Sequence, residues 1–171
     1  MNLDEAANEL VRKLRERSLK VVFAESCTGG LVSASLATIP GVSDCLCGSA
    51  VTYLDEVKTQ WLGVDPALIR RNTAVCQEVA KKMASGALQR TSSADIAVSI
   101  TGHLGPDAPP QLDGIVFVAF AWRLASEIAV IVQKLTLVTL ARGDRQVEAA
   151  VEMLKFARNE TSAMGSRKGA L

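Results

Sequence analysis

One histidine, one tyrosine and two tryptophans stand in 171 residues, and aromatic residues make up only 4%. With His103 the sole imidazole and Cys27, Cys45, Cys47 and Cys76 forming no Cys-x-x-Cys pair, no metal site is expected. Four scattered thiols suit a reduced, cytoplasmic protein. Neither sign of charge is in excess: 19 Lys and Arg face 18 Asp and Glu, for a net charge of +1. Without a basic block the chain is not expected to bind nucleic acid directly, since that affinity needs a basic face. A local anion pocket stays compatible with this balance. Long apolar runs are missing too. Ile115–Trp122 and Ile128–Val132 fall short of the roughly 20 residues that cross a bilayer, so no membrane association is expected. No charged-then-apolar start with a small-residue cleavage site is present, so no secretory leader is expected. Repeats and low-complexity linkers are absent as well.

What is present describes a packed domain. Hydrophobic residues are 49% and charged residues 22%, and the length suits one domain. A domain of this size buries roughly two-thirds of its unfolded surface and needs no disulfide or metal staple. Apolar residues at three-and-four spacing predict a helix over Asn2–Arg17. A β-prone run, Lys20–Ala24, ends at turn residues and leads into a helix, Leu31–Thr38, closed by Pro40-Gly41. A strand is expected at Cys45–Tyr53, short helices at Asp55–Leu62 and from Pro66, and a longer helix at Cys76–Thr91. Ile96–Thr101 reads as a strand buried on both faces. A Gly/Pro-rich loop separates it from a hairpin of Gly114–Arg123 and Glu127–Val138. The last helix is expected from Gly143-Asp144 to Asn159. This order predicts one α/β domain, residues 1–160, with a mixed β-sheet between helix layers. The small, polar and basic residues 161–171 are expected to fray as a flexible tail.

In open α/β sheets ligands bind beyond the carboxyl ends of strands. The turn Glu25-Ser26-Cys27-Thr28-Gly29-Gly30 is one such place. Its Ser26 either exposes a reactive hydroxyl, with helix N–H groups free for an anion or an oxyanion, or, like Thr28, caps the helix. It is neither a Walker A loop nor a Gly-x-Gly-x-x-Gly turn. The loop from Thr101-Gly102 is either a functional loop or a surface connection. Lys58, following Tyr53, is either a solvated lysine or a general base for a serine, if burial lowers its pKa. Asp144 suits a helix start, whereas Arg145 there points to an anion partner or to a surface ion pair. No acid is placed to orient His103, so a Ser–His pair is not favoured. Cys27 is the cysteine to watch, because a helix N-terminus lowers thiol pKa.

Five ordered blocks now carry a resemblance. They are Ala24-Glu25-Ser26-Cys27-Thr28-Gly29-Gly30; Val51-Thr52-Tyr53 with Lys58 and Leu62-Gly63-Val64; Ala74-Val75 with Glu78-Val79-Ala80 and Met83-Ala84; Ser99-Ile100-Thr101-Gly102 with Gly105-Pro106; and Gly143-Asp144-Arg145. Together they resemble the CinA C-terminal domain family, over about Val21 to Leu154. That family includes the nicotinamide mononucleotide deamidases. The resemblance implies a free-standing α/β domain, a homo-oligomer, and a hydrolase of pyridine-nucleotide salvage that needs no metal or other cofactor. It would release ammonia from nicotinamide mononucleotide, its small-molecule nucleotide substrate, and leave nicotinic acid mononucleotide. The implied roles are Ser26 as nucleophile and Lys58 as general base with Tyr53 nearby. Thr28, Gly29, Gly30, Ser49, Thr101 and Gly102 would line the site, and Arg145 would pair with the 5′-phosphate.

The chain also departs from the family pattern. The glycines expected after Pro106 are Asp107 and Ala108. A Lys-Pro-x-Gly-Thr stretch reads Gln111-Leu112-Asp113-Gly114-Ile115, so Asp107 and Asp113 add negative charge. Ser49 stands where a second glycine is common, and Thr73 replaces a glycine. Cys76 replaces a capping serine, a change expected to cost its helix about 1 kcal/mol. These changes leave two alternatives beside the deamidase: a catalytically silent member that binds a nucleotide or a protein, and an amidase for another small amide.

Overall fold

A computed structural model describes residues 1–167. Its central feature is a five-stranded sheet of order β2-β1-β3-β4-β5. The strands are β1 (Val21–Glu25), β2 (Leu46–Val51), β3 (Ile96–Gly102), β4 (Ile115–Arg123) and β5 (Ile128–Thr136). β1 runs parallel to both β2 and β3, whereas β4 is antiparallel to β3 and β5 to β4. The expected mixed sheet between helix layers is therefore present.

The two faces of the sheet differ in side-chain size. One carries Val21, Phe23, Ile96, Val98, Ile100, Val116, Val118 and Phe120, packed under α1 (Leu3–Glu16), α2 (Leu31–Ala37) and α6 (Arg142–Arg167). The other carries Ala24, Ala97, Ala119 and Ala121. Small residues there let α5 (Gln77–Arg90) sit close to the sheet, and Ser99 donates to the Ala80 carbonyl at 2.6 Å. α3 (Asp55–Leu62) and α4 (Pro66–Asn72) complete that layer. Gly86 of α5 is fixed by packing, because a Cβ there would stand 1.9 Å from the Leu62 carbonyl oxygen.

Helix ends follow local chemistry. Asn2 and Glu5 form a reciprocal capping box, each accepting from the other's backbone N–H at 2.9 Å. Cys76 keeps the cap of α5, its Sγ accepting from Val79 N at 3.5 Å, so the loss expected from the missing serine is offset. The expected tail needs correction. α6 continues to Arg167, because Thr161 and Met164 are buried and Arg17 holds the Ser162 carbonyl at 2.8 Å. Residues 168–171 lie outside the described residues.

Candidate active site

β1 has β2 on one side and β3 on the other, so the chain changes direction across the sheet at the carboxyl ends of β1 and β3. That point is where α/β sheets bind ligands. Two segments meet there: the turn after β1 and the loop after β3, joined by Ser26 N donating to Ile100 O at 3.2 Å. They wall a cavity of about 500 Å³. Ser26, Tyr53, Lys58, Thr101, Gly102 and His103 all line it, and so do Cys27, Thr73, Asp107 and Arg142. A larger groove of about 770 Å³ lies elsewhere, between α5 and the β4–β5 turn, and contains none of these groups.

The turn is built around Glu25, whose carboxylate is fully buried. It accepts from the Thr28 hydroxyl at 2.9 Å, from the N–H groups of Gly30, Val32 and Ser33 at 3.0 Å, and from the Ser49 hydroxyl at 3.0 Å. The start of α2 therefore holds an internal anion, and its N–H groups are not open to an external one. Thr28, Gly29, Gly30 and Ser49 serve this arrangement and do not line the cavity. Gly29 and Gly30 have φ of +62° and +98°, which explains the glycine pair. Glu25 was not singled out as a site residue. The legible signal was a carboxylate inside a buried strand, directly before a helix-starting turn.

Lys58 is 1% exposed. Its amine donates to the Tyr53 carbonyl at 3.0 Å and to Asp55 Oδ1 at 3.4 Å. Burial lowers its pKa from the ordinary lysine range, and the Asp55 carboxylate partly opposes that shift. Ser26, which lines the same cavity, is not among its hydrogen-bond partners. The Tyr53 hydroxyl is not a partner of the amine and accepts from Arg142 Nη2 at 2.6 Å. Tyr53 thus holds Lys58 through its carbonyl and Arg142 through its phenol. Burial pushes the Cys27 thiol up to about 12, so the helix start does not activate it.

On the β3 side, Thr101 is buried and donates to the Ala74 carbonyl at 2.9 Å. Gly102 is demanded by packing as well as by the site: a Cβ would lie 2.3 Å from Val116 Cγ1. His103 lines the cavity while its backbone pairs with Ile115 and Gly114. Arg145 is not free to meet a phosphate. It is buried and holds Asp113 through Nη1 and Nη2 at 2.6 and 3.0 Å. Asp113, the unexpected charge in the loop, is its partner. The arginine at the cavity is Arg142, three residues earlier, which donates to Tyr53 and to the Gly105 carbonyl. Among the described residues no cluster of His, Cys, Asp and Glu is arranged to hold a metal. Among them, too, no helix is long and apolar enough to cross a membrane.

Comparison with known proteins bears on the family and the fold. The chain is 48% identical over 117 residues to a CinA-like protein of Chlorobaculum tepidum, covering 67% of this chain and 27% of that one. It is 42% identical over 116 residues to a CinA-like protein of Akkermansia muciniphila, covering 67% and 28%. The matches thus span little more than a quarter of these relatives' length. Among solved structures, competence/damage inducible protein CihA of Agrobacterium tumefaciens superposes with a TM-score of 0.84 at 29% identity, covering 93% of this chain and 96% of that one. A competence-damaged protein (CinA) superfamily member from Klebsiella pneumoniae gives 0.83 at 26% identity, covering 95% and 99%. The model of the CinA C-terminal domain matches residues 3–160, and the chain belongs to the CinA C-terminal domain family.

Proposed function

We propose that the chain is an amide hydrolase acting on nicotinamide mononucleotide. The observation that carries this reading is the buried Lys58 amine, its pKa lowered, lining the same cavity as Ser26. A lysine desolvated in this way reaches its neutral form at lower pH and can accept a proton. Ser26 Oγ attacks the carboxamide carbon and its proton passes to Lys58 Nζ. The carbonyl oxygen becomes an oxyanion. Of the turn's N–H groups, those of Cys27 and Thr28 are not engaged by Glu25 or by the turn's own carbonyls, and they would serve as its donors. Each such donor is worth roughly 3–4 kcal/mol in the barrier. Collapse breaks the C–N bond, Lys58 returns the proton, and ammonia leaves. Water then cleaves the serine ester, giving the carboxylate and restoring Ser26.

A second reading, a silent nucleotide-binding member, is favoured by one observation: the Lys58 hydrogen bonds go to Tyr53 and Asp55 and not to Ser26. Ammonia release from nicotinamide mononucleotide separates the two. Release by the wild type, abolished in Ser26→Ala, is expected. Release that persists in Ser26→Ala overturns the serine mechanism. No release from a folded wild type that binds the nucleotide favours the silent member.

A further inference from the structure

Arg142 stands where two hollows meet. The 500 Å³ cavity lies on one side of it and a hollow of about 440 Å³, rimmed by Arg145 and Leu140, on the other. Arg142 is exposed as a residue, and its guanidinium donates to two neutral oxygens, the Tyr53 hydroxyl and the Gly105 carbonyl. Among the described residues no carboxylate pairs with it. Arg145, in contrast, is buried and neutralised by Asp113. Arg142 also begins α6, where the helix dipole favours an anion and disfavours a cation. A charge held in that place without a counter-ion invites one.

We propose that Arg142 is the residue that receives the phosphate monoester of the ligand, with the Tyr53 hydroxyl as its second donor; this rests on the deamidase reading for the ligand's identity. The chemistry is complementary. Arg142 uses two of its five N–H donors in the present contacts, and a phosphate can take the others. The Tyr53 oxygen accepts from Arg142, which leaves its own O–H free to donate to a phosphate oxygen. The reacting end of the ligand would then lie toward Ser26 and Lys58, two buried groups that line the same cavity. Asp107 opposes binding, whereas the other carboxylates at the two hollows, Asp55 and Asp113, already face Lys58 and Arg145. Asp107 lines both hollows, and its carboxylate repels a phosphate. The site is therefore expected to be weaker than an all-basic one and to lose affinity as salt rises.

The test does not depend on turnover. Ribose 5-phosphate, and ribose as its neutral control, are titrated calorimetrically into the full chain. The wild type is expected to bind the phosphate and not the sugar. Arg142→Gln, which removes the charge, is expected to weaken binding at least tenfold; Tyr53→Phe is expected to weaken it a few-fold, and Asp107→Asn to tighten it. Arg142→Gln is a surface change, and its melting curve shows whether it folds. If the wild type deamidates, Arg142→Gln raises KM for nicotinamide mononucleotide with kcat little changed, and leaves the KM for nicotinamide riboside, which lacks the phosphate, unchanged. Equal ribose 5-phosphate affinity in wild type and Arg142→Gln, or no binding to the wild type, overturns the proposal. Arginine-dependent binding without any ammonia release would leave Arg142 in place and remove the deamidase.

Discussion

Arg145 grips Asp113 with a two-bond fork, Nη1 to Oδ1 at 2.6 Å and Nη2 to Oδ2 at 3.0 Å, while its Nε holds the Thr139 carbonyl at 2.9 Å. The fork ties the loop between β3 and β4 to the first turn of α6. It also lowers the Asp113 pKa, chiefly through its hydrogen bonds, with His103 adding a smaller pull. Asp113→Asn is expected to lower the melting temperature at pH 7. The sign with pH follows from linkage. A carboxyl depressed in the folded state contributes fully above its unfolded pKa of about 3.9, and the contribution is lost as pH falls through the lower folded value. Melting curves of wild type and Asp113→Asn should therefore converge between about pH 4 and pH 2. A constant gap across that range would show that the ion pair is not what stabilises the loop.

Glu25 serves five donors from three segments: the turn, α2 and β2. Removing the acceptor strands buried N–H and O–H groups, each worth about 1–3 kcal/mol when unsatisfied. Glu25→Ala is expected to cost at least about 3 kcal/mol, a large share of a domain's stability. Glu25→Gln keeps the shape but turns two N–H donors toward existing donors, so it should also destabilise. Urea unfolding measures both. A loss in Glu25→Gln below about 1 kcal/mol would mean that the cap is marginal.

The elements were legible because their patterns are local. The stripe of Ala6, Ala7, Leu10, Val11 and Leu14 is a helical period, and Ile96–Ile100 is a buried strand. The place of the candidate cavity was also legible, since a strand-to-helix turn with two glycines marks the end of β1. What each residue does there was not. Arg142 and Arg145 lie within one turn of α6, and their roles are divided by an aspartate 32 residues from Arg145. Thr28, Gly29, Gly30 and Ser49 read as ligand-binding residues because the buried charge they serve is decided by tertiary contacts to Glu25. The C-terminal end of α6 was missed for the same reason: its small and polar composition suggests fraying, but Thr161 and Met164 are buried by tertiary packing.

Cys27 lies one residue after Ser26 and on the same cavity, so it competes for the role of nucleophile. With its thiol pushed up to about 12 it stays protonated at neutral pH. Iodoacetamide at pH 8 should leave Cys27 of the folded chain unlabelled, and Cys27→Ala should retain activity within a few-fold. Rapid labelling of Cys27 with parallel loss of activity would move the chemistry from oxygen to sulfur.

Thr73 adopts φ 66° and ψ 167°, a region that only glycine enters easily. This is the conformation for which the resemblance leads to the expectation of a glycine, and it makes the threonine a strained occupant. Such strain costs about 1–3 kcal/mol, against about 0.5–1 kcal/mol for the extra chain entropy of glycine. The threonine side chain recovers some of that cost through its long contact with Val75 N, 3.3 Å. Thr73→Gly is expected to raise the melting temperature by a few degrees. An unchanged or lower value would place the strain elsewhere.

Lys58 decides the pH dependence of the proposed reaction. Only its neutral amine can take the Ser26 proton, so the rate should rise with pH through the lysine's folded pKa and level off below the ordinary value of about 10.4. Lys58→Arg cannot lose its proton at these pH values and should lower kcat by about 10²–10⁴. Asp55 supplies a sharper check. Its carboxylate is the main group that pulls the amine pKa back up against burial, ahead of Cys27. Asp55→Asn keeps an oxygen for the amine and removes the charge, so the rising limb should move to lower pH with its plateau retained. The same depressed pKa makes folding stability rise with pH between the folded and unfolded values, because the unfolded chain there binds more protons. A limb that Asp55→Asn leaves unmoved belongs to some group other than Lys58, and His103, on the same cavity, becomes the next one to replace.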